Sequence, residues 1–218
     1  MKGLIYTAIY GGRDRPLAVW CPEGNVDYLM FTDTKAPKGW KEVLDLRPKN
    51  PRLAARLRKV ALPEQAGGYD WALWIDGSHI PQVPIAPLVE KWLEAKNFAA
   101  YKHHHWDCTY KEIEKCKALG KDTRERLDRA EKALVGAGFP VHYGQLASTI
   151  LARRVGSDLA LTHARLWRHW IETYTIRDQV SFMASLWQLS GKAPAEDNLH
   201  WIGPNAFKNE TFHYQGGH

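Results

Sequence analysis

Short apolar runs mark the first half of the chain at residues 4–10, 28–32, 42–46, 71–75 and 98–102, each closed by glycine, other turn residues or charge. Runs of that length and bounding predict β-strands. The run Trp71-Ala72-Leu73-Trp74-Ile75 is apolar without alternation, as in a strand covered on both faces. Elsewhere apolar residues recur three and four positions apart, at Leu53, Leu57, Val60 and Ala61, at Leu88, Trp92 and Leu93, and at Leu127, Ala130, Leu134 and Ala137. That spacing predicts helices with one buried stripe. Residues 148–152 predict another strand. Leu159, His163, Leu166, Trp167, Trp170 and Tyr174, followed by Val180, Met183, Leu186 and Trp187, predict two late helices. Strands alternating with helices predict an α/β fold with a Rossmann-like, mostly parallel sheet flanked by helices. Residues 111–121 and the tail from Gly191 onward lack this patterning and are expected to be flexible.

Composition narrows the partner more than the fold. The 218 residues suffice for one domain with a real core. Lys and Arg outnumber Asp and Glu by 30 to 24, and the net charge of +6 invites an anion: a nucleoside diphosphate, a nucleic acid or an acidic glycan. Three cysteines, Cys21, Cys108 and Cys116, form no close pair, which argues against a disulfide framework and for a reducing compartment. The opening residues do not read as a secretory leader, and no apolar run approaches the roughly 20 residues that span a bilayer. A cytoplasmic protein without a membrane span is therefore expected.

In an open parallel sheet, ligands bind beyond the carboxyl ends of the strands, where loops converge and helix N-termini present positive charge. Asp76 follows the 71–75 strand directly and precedes Gly77-Ser78. Its carboxylate is either a ligand for a divalent ion, with Ser78 as a second oxygen, or the cap of a turn. Tyr10-Gly11-Gly12-Arg13-Asp14 ends the first strand; paired glycines admit a ligand to the main chain and Arg13 suits a phosphate. Neither the dinucleotide-binding glycine signature nor a P-loop occurs anywhere in the chain. After Asn50-Pro51, the cations Arg52, Arg56 and Lys59 share one helical stripe that either clamps a diphosphate or faces solvent. His103-His104-His105, Asp107, Cys108 and Cys116 match no common zinc spacing, and one of the three histidines is expected to face a substrate. Arg177-Asp178-Gln179 opens the last helix, where an Asp is favoured by the helix dipole with or without a chemical duty. His200, His213 and His218 in the tail are further candidate metal ligands.

Taken in order, Tyr6-Thr7-Ala8-Ile9-Tyr10-Gly11-Gly12, Phe31-Thr32-Asp33, Asn50-Pro51-Arg52 with Arg56 and Lys59, Trp74-Ile75-Asp76-Gly77-Ser78, Lys102-His103 and Arg177-Asp178-Gln179-Val180-Ser181-Phe182 form a pattern. It resembles a family of glycosyltransferase-like proteins, long catalogued as a domain of unknown function, with plant and bacterial hexosyltransferase-like members. The resemblance implies a glycosyltransferase A-type fold, with a catalytic domain over residues 1–190 that binds a nucleoside-diphosphate sugar and a tail over 191–218 packing on or near the active site. It implies donor contacts from Thr7, Tyr10, Gly11, Arg13, Arg52, Arg56, Lys59 and Asp76. It also implies manganese or magnesium on Asp76, Ser78 and His213, with Asp76-Gly77-Ser78 in the place of an Asp-x-Asp motif whose second Asp is missing. His103, Arg177, Asp178 and Gln179 take the acceptor or sugar side, with Asp76 and Asp178 as catalytic carboxylates. The implied reaction moves a hexose from a donor such as a UDP-sugar to a hydroxyl of a glycan, protein, small molecule or modified nucleic acid. Other readings stand beside it. One is a nucleic-acid-binding protein or a DNA-modifying glycosyltransferase, suggested by the charge and the aromatics. Another is a metal-dependent nucleotidyltransferase or phosphohydrolase using Asp76, and a third is a sugar-binding relative without turnover.

Overall fold

The computed structural model describes residues 1–45 and 48–216. In chain order the elements are β1 (Gly3–Ile9), β2 (Val26–Thr32), β3 (Lys41–Leu44), α1 (Pro51–Val60), β4 (Trp71–Ile75), β5 (His79–Pro81), α2 (Ala86–Trp92), β6 (Phe98–Lys102), α3 (Thr109–Ala118) and α4 (Arg124–Ala137). They continue with β7 (Leu146–Arg154), α5 (Asp158–Thr173), α6 (Asp178–Leu189), β8 (Leu199–Trp201) and β9 (Phe212–Tyr214). Seven strands make the central sheet in the order β3-β2-β1-β4-β7-β6-β8. Only β7 runs against its neighbours, so the sheet is mostly parallel, as the alternating pattern predicts.

Why β4 is apolar throughout is plain from its two faces. Ala72 and Trp74 enter the core formed with α1, α4, α5 and α6, while Trp71, Leu73 and Ile75 enter the core capped by α2. From β1 the chain steps outward through β2 and β3, then crosses by α1 to β4 on the other side of β1. That reversal opens a crevice between the carboxyl ends of β1 and β4, the position where such sheets bind ligands. The Asn50 side chain caps α1 by accepting the Leu53 N–H at 3.1 Å, and Pro51 supplies the first helical residue.

Two stretches expected to be flexible are ordered elements. Most of residues 111–121 fall in α3, whose inward stripe is Thr109, Glu112, Ile113 and Cys116. Two members of that stripe are polar, which hides the helical period from an apolar count. Beyond residue 190, β8 joins the central sheet beside β6, and β9 pairs with β5 so that Ile80 faces His213. Strands of three residues held by distant partners carry no periodic signature of their own. The third strand ends at Leu44, and Leu46 and His218 lie outside the described residues. Among the described residues no helix is long and apolar enough to cross a membrane, and Cys21, Cys108 and Cys116 are all free thiols.

Candidate active site

The main chain leaves β1 and β4 on either side of a cleft of about 200 Å³. Tyr10, Arg13 and Asp14 line it from the β1 side, Arg52, Arg56 and Lys59 from α1, and Trp74, Asp76, Gly77 and Ser78 from the β4 side. Residues far apart in sequence, Tyr10, Arg13, Arg52, Arg56, Lys59, Asp76 and Ser78, thus meet as expected in one place. The paired glycines are required by the turn: Gly11 and Gly12 have φ of 66° and 63°, and the Gly11 N–H donates to both carboxylate oxygens of Asp33 at 3.1 and 3.0 Å. Gly77 is required for space, because a Cβ there would lie 2.5 Å from Ile9 Cδ1. Close approach of these two loops is what makes one cleft of two strand ends.

Behind the lining sits a buried ion network. The Lys59 ammonium is fully buried and donates to Asp178 Oδ2 at 2.6 Å, Ser148 Oγ at 3.2 Å and Asp76 Oδ1 at 3.3 Å. Arg56 pairs with the same Asp178 oxygen, and Ser148 Oγ donates to it at 2.7 Å. Burial alone would raise the Asp178 carboxyl, but Arg56, Lys59 and Arg177 outweigh it and hold that group well below the usual carboxylate range. A carboxylate 1% exposed and paired in this way is a poor proton acceptor. In this arrangement Asp178 is the counter-ion that positions Lys59 and Arg56. Asp76 differs, with its side chain 31% exposed and Oδ1 fixed by the Trp74 indole N–H at 2.7 Å.

Four cations line the cleft against the carboxylates of Asp14 and Asp76. Burial, then the neighbouring Arg56 and Arg177, lower the Arg52 guanidinium from its ordinary value, which marks positive charge gathered for an anion. The Tyr10 hydroxyl is committed to Asp45, itself held by Arg58 at 2.9 Å, so Tyr10 offers the cleft its ring. Thr7 is buried within β1, and neither it nor Gly11 reaches the lining.

The residues expected to hold manganese or magnesium do not fit a divalent ion. One oxygen of Asp76 already faces a lysine ammonium. Ser78 is a neutral hydroxyl, 3.1 Å from His79 Nδ1, and the His213 ring packs against Trp20 with centroids 4.7 Å apart. Hard cations favour several anionic or carbonyl oxygens around one point. Among the described residues no cluster of three or more His, Cys, Asp or Glu could hold a metal.

His103, Arg177 and Gln179 lie on the far side of Asp178. Arg177 donates to Glu112 at 3.2 Å and to Gln179 Oε1 at 3.3 Å, and Glu112 stands 3.8 Å from His103 Nε2. Burial, followed by His104, His105 and Arg177, lowers the His103 imidazole to about 4, so the ring is neutral at pH 7. His103 lines a second cleft of about 420 Å³, at the ends of β6 and β8 and the start of β7. The two clefts therefore open on one edge of the sheet, joined by the run Lys59, Asp178, Arg177, Glu112, His103. Of the three adjacent histidines, His103 is the one whose side chain is mostly covered, as expected for a single inward-facing ring.

Glu112, Ser148 and Arg153 were not legible as site residues. Arg153, fully buried, donates to the Lys59 carbonyl at 2.6 Å, to the Val60 carbonyl at 2.8 Å and to the Tyr6 hydroxyl, which pins the end of α1 that carries Lys59. The predicted strand 148–152 stops one residue short of it.

No family model matches the chain, and no curated protein matches it. Among solved structures, the apo form of mouse xyloside xylosyltransferase 1 is similar over 92% of this chain and 84% of that chain, with a TM-score of 0.42 and 7% sequence identity. So loose a likeness assigns no activity and no residue role here. What fold and cleft define by themselves is an α/β protein with a cationic crevice at the switch point of its sheet.

Proposed function

We propose that this protein is a glycosyltransferase that moves a hexose from a nucleoside-diphosphate sugar to an acceptor hydroxyl. The observation that carries this reading is the gathering of Arg13, Arg52, Arg56 and Lys59 beside Asp76 at the switch point between β1 and β4. Of the motifs that resemble the glycosyltransferase-like family, those that carry Tyr10, Arg52 with Arg56 and Lys59, and Trp74 with Asp76 and Ser78 line this cleft. Arg52, Arg56 and Lys59 of α1 line it, Lys59 fully buried, rather than forming an exposed face as nucleic-acid phosphates would need.

In this reading the diphosphate lies among the four cations, with UDP the first donor to try. As the bond from the anomeric carbon to the diphosphate oxygen breaks, charge grows on that oxygen, and fixed cations stabilise it without reorganising. The acceptor oxygen bonds to the anomeric carbon and its proton passes to Asp76, whose carboxylate is held in place by Trp74 and Lys59. Lys59, held by Asp178, supplies charge at the point where a metal would otherwise be required.

A thermal-shift screen of nucleoside diphosphates and their sugars, with manganese and with a chelator, tests the proposal. A ligand at about 100 times its Kd adds about 2.7 kcal/mol to the folded state. The expected result is a raised melting temperature with a nucleoside diphosphate, retained in the chelator, and release of nucleoside diphosphate from the sugar donor that Asp76→Asn abolishes without unfolding the chain. If no such ligand shifts the melting temperature, the reading fails.

A further inference from the structure

The second cleft is made of different material. Two indoles, Trp106 and Trp201, line it, the first stacked on His103 with ring centroids 4.5 Å apart. Trp201 is held in place: its indole N–H donates to Glu196 at 2.9 Å, and Gly144, at φ 103°, leaves room for it where a Cβ would come within 3.0 Å of the ring. Gln145, 1% exposed, lines the same cleft. Its carboxamide oxygen accepts the buried Thr109 hydroxyl at 2.8 Å, while its Nε2 has no partner among the described residues. A buried amide nitrogen left without an acceptor costs free energy and asks for an explanation.

The charged side chains lining this cleft balance in sign, Lys102 and Lys192 against Asp107 and Glu196. Asp107 accepts from or is paired with His142 at 2.7 Å, Glu196 serves Trp201, and the Lys102 ammonium lies 5.6 Å from the Trp201 ring centroid. Aromatic faces with a buried amide and no excess of either charge suit a neutral polyhydroxyl ligand, whose C–H faces cover rings and whose hydroxyls meet the amide. We infer that this second cleft binds the acceptor, and that the acceptor is a neutral carbohydrate resting on Trp106 and Trp201 with a hydroxyl opposite Gln145. The inference rests on the glycosyltransferase reading for the word acceptor, but not for the ligand's chemistry. Gln145 and Ser148 are three residues apart at the start of β7, roughly 10 Å in an extended strand, so a sugar in the second cleft extends toward the donor cleft on the same sheet edge.

The test uses the full chain and saturation-transfer NMR, with methyl glycosides of glucose, galactose, mannose and xylose and their neutral trisaccharides as probes, and with UDP and uridine titrated separately. At least one carbohydrate is expected to bind the wild type. Trp106→Ala and, as a milder variant, Gln145→Leu are each expected to weaken it about tenfold while leaving UDP affinity unchanged. Absence of carbohydrate binding by a folded wild type, carbohydrate affinity unchanged from wild type in both variants, or displacement of the carbohydrate by uridine overturns the inference. Failure of UDP to bind while the carbohydrate result holds counts against the donor reading alone. If Trp106→Ala does not fold, Gln145→Leu decides.

Discussion

The two clefts on the edge of this sheet are close neighbours built for opposite ligands. The first is small and cationic, with its deepest charge, Lys59, locked against Asp178. The second is about twice as large, walled by indoles and a neutral imidazole, and its charged lining balances in sign, Lys102 and Lys192 against Asp107 and Glu196. A cationic pocket at one end and a surface of balanced charge at the other is what the proposed reaction needs, in which a diphosphate leaves and a neutral hydroxyl attacks. The Arg177-Asp178 step between them serves both sides, with Asp178 facing Lys59 and Arg177 facing Glu112.

Breaking that step should have the largest effect. Asp178→Asn leaves the Lys59 ammonium and the Arg56 guanidinium without their buried partner, and loss of one member of a buried pair costs about 3–5 kcal/mol. Asp76, 3.3 Å from Lys59, offsets part of this. Urea unfolding should show the loss. The double replacement Lys59→Met with Asp178→Leu should recover most of the stability while failing to bind UDP. A double variant that still binds UDP would remove Lys59 from the donor site.

Arg52→Ala separates the clefts by ligand instead of by stability. Arg52 donates to a surface carbonyl, that of Lys121, at 2.9 Å, so its loss disturbs little of the fold. A charge-assisted bond to phosphate contributes about 1.5–3 kcal/mol, hence a ten- to hundredfold weaker UDP affinity by calorimetry. Added salt should weaken UDP binding and leave carbohydrate binding nearly constant, since only in the first cleft does a charged ligand meet an excess of one charge. Equal salt dependence at both sites would erase the contrast between them.

How far these clefts could be read from the chain differs in the same way. The first was legible because its residues follow strand ends directly, as Asp76 follows the apolar β4, or share one stripe of α1, as Arg52, Arg56 and Lys59 do. The mostly parallel sheet followed from alternating strand and helix patterns. The second cleft was nearly invisible, apart from His103. Trp201 stands on β8, a strand of three residues, and Glu112 sits in α3 among lysines, so neither has a local pattern. The metal was expected from the position of Asp76 at a strand end and from the resemblance, but neither reveals the Lys59 ammonium that stands 3.3 Å from its carboxylate. The helix start alone read Asp178 as a cap and the resemblance alone gave it a chemical role; its burial under Arg56 and Lys59 has no local signature in the sequence.

Gly77→Ala probes how tightly the first cleft depends on backbone spacing. The new methyl group would meet Ile9 Cδ1 at 2.5 Å and Asp14 Cβ at 3.0 Å, an overpacking cost of about 1–3 kcal/mol. Because relief moves Asp76 relative to Tyr10, turnover should fall more than stability does. Carbohydrate binding in the second cleft should not change, and a parallel loss there would mean that the two sites are one rigid unit.

Acid separates the clefts most gently. A carboxyl whose folded value is depressed stabilises the fold above its unfolded value, about 3.9, so Asp178 gives up its contribution only as pH falls below that point. His103 acts in a different window. Its folded value, about 4, lies below the ordinary histidine value, so between about 6.5 and 4 the unfolded chain binds the proton that the folded chain refuses. Stability should fall through that interval as pH is lowered, by at most on the order of 1 kcal/mol per pH unit, and should be flat with respect to this group above it. His163, lowered by burial to about 3, adds a similar slope from within the core. The variant His103→Gln keeps the His163 term and removes its own, so urea midpoints at pH 7, 6, 5 and 4.5 should show a shallower decline than the wild type. An unchanged decline would mean that His103 is free to take a proton in the folded protein, and the second cleft would then become cationic in acid rather than remaining the neutral partner of the first.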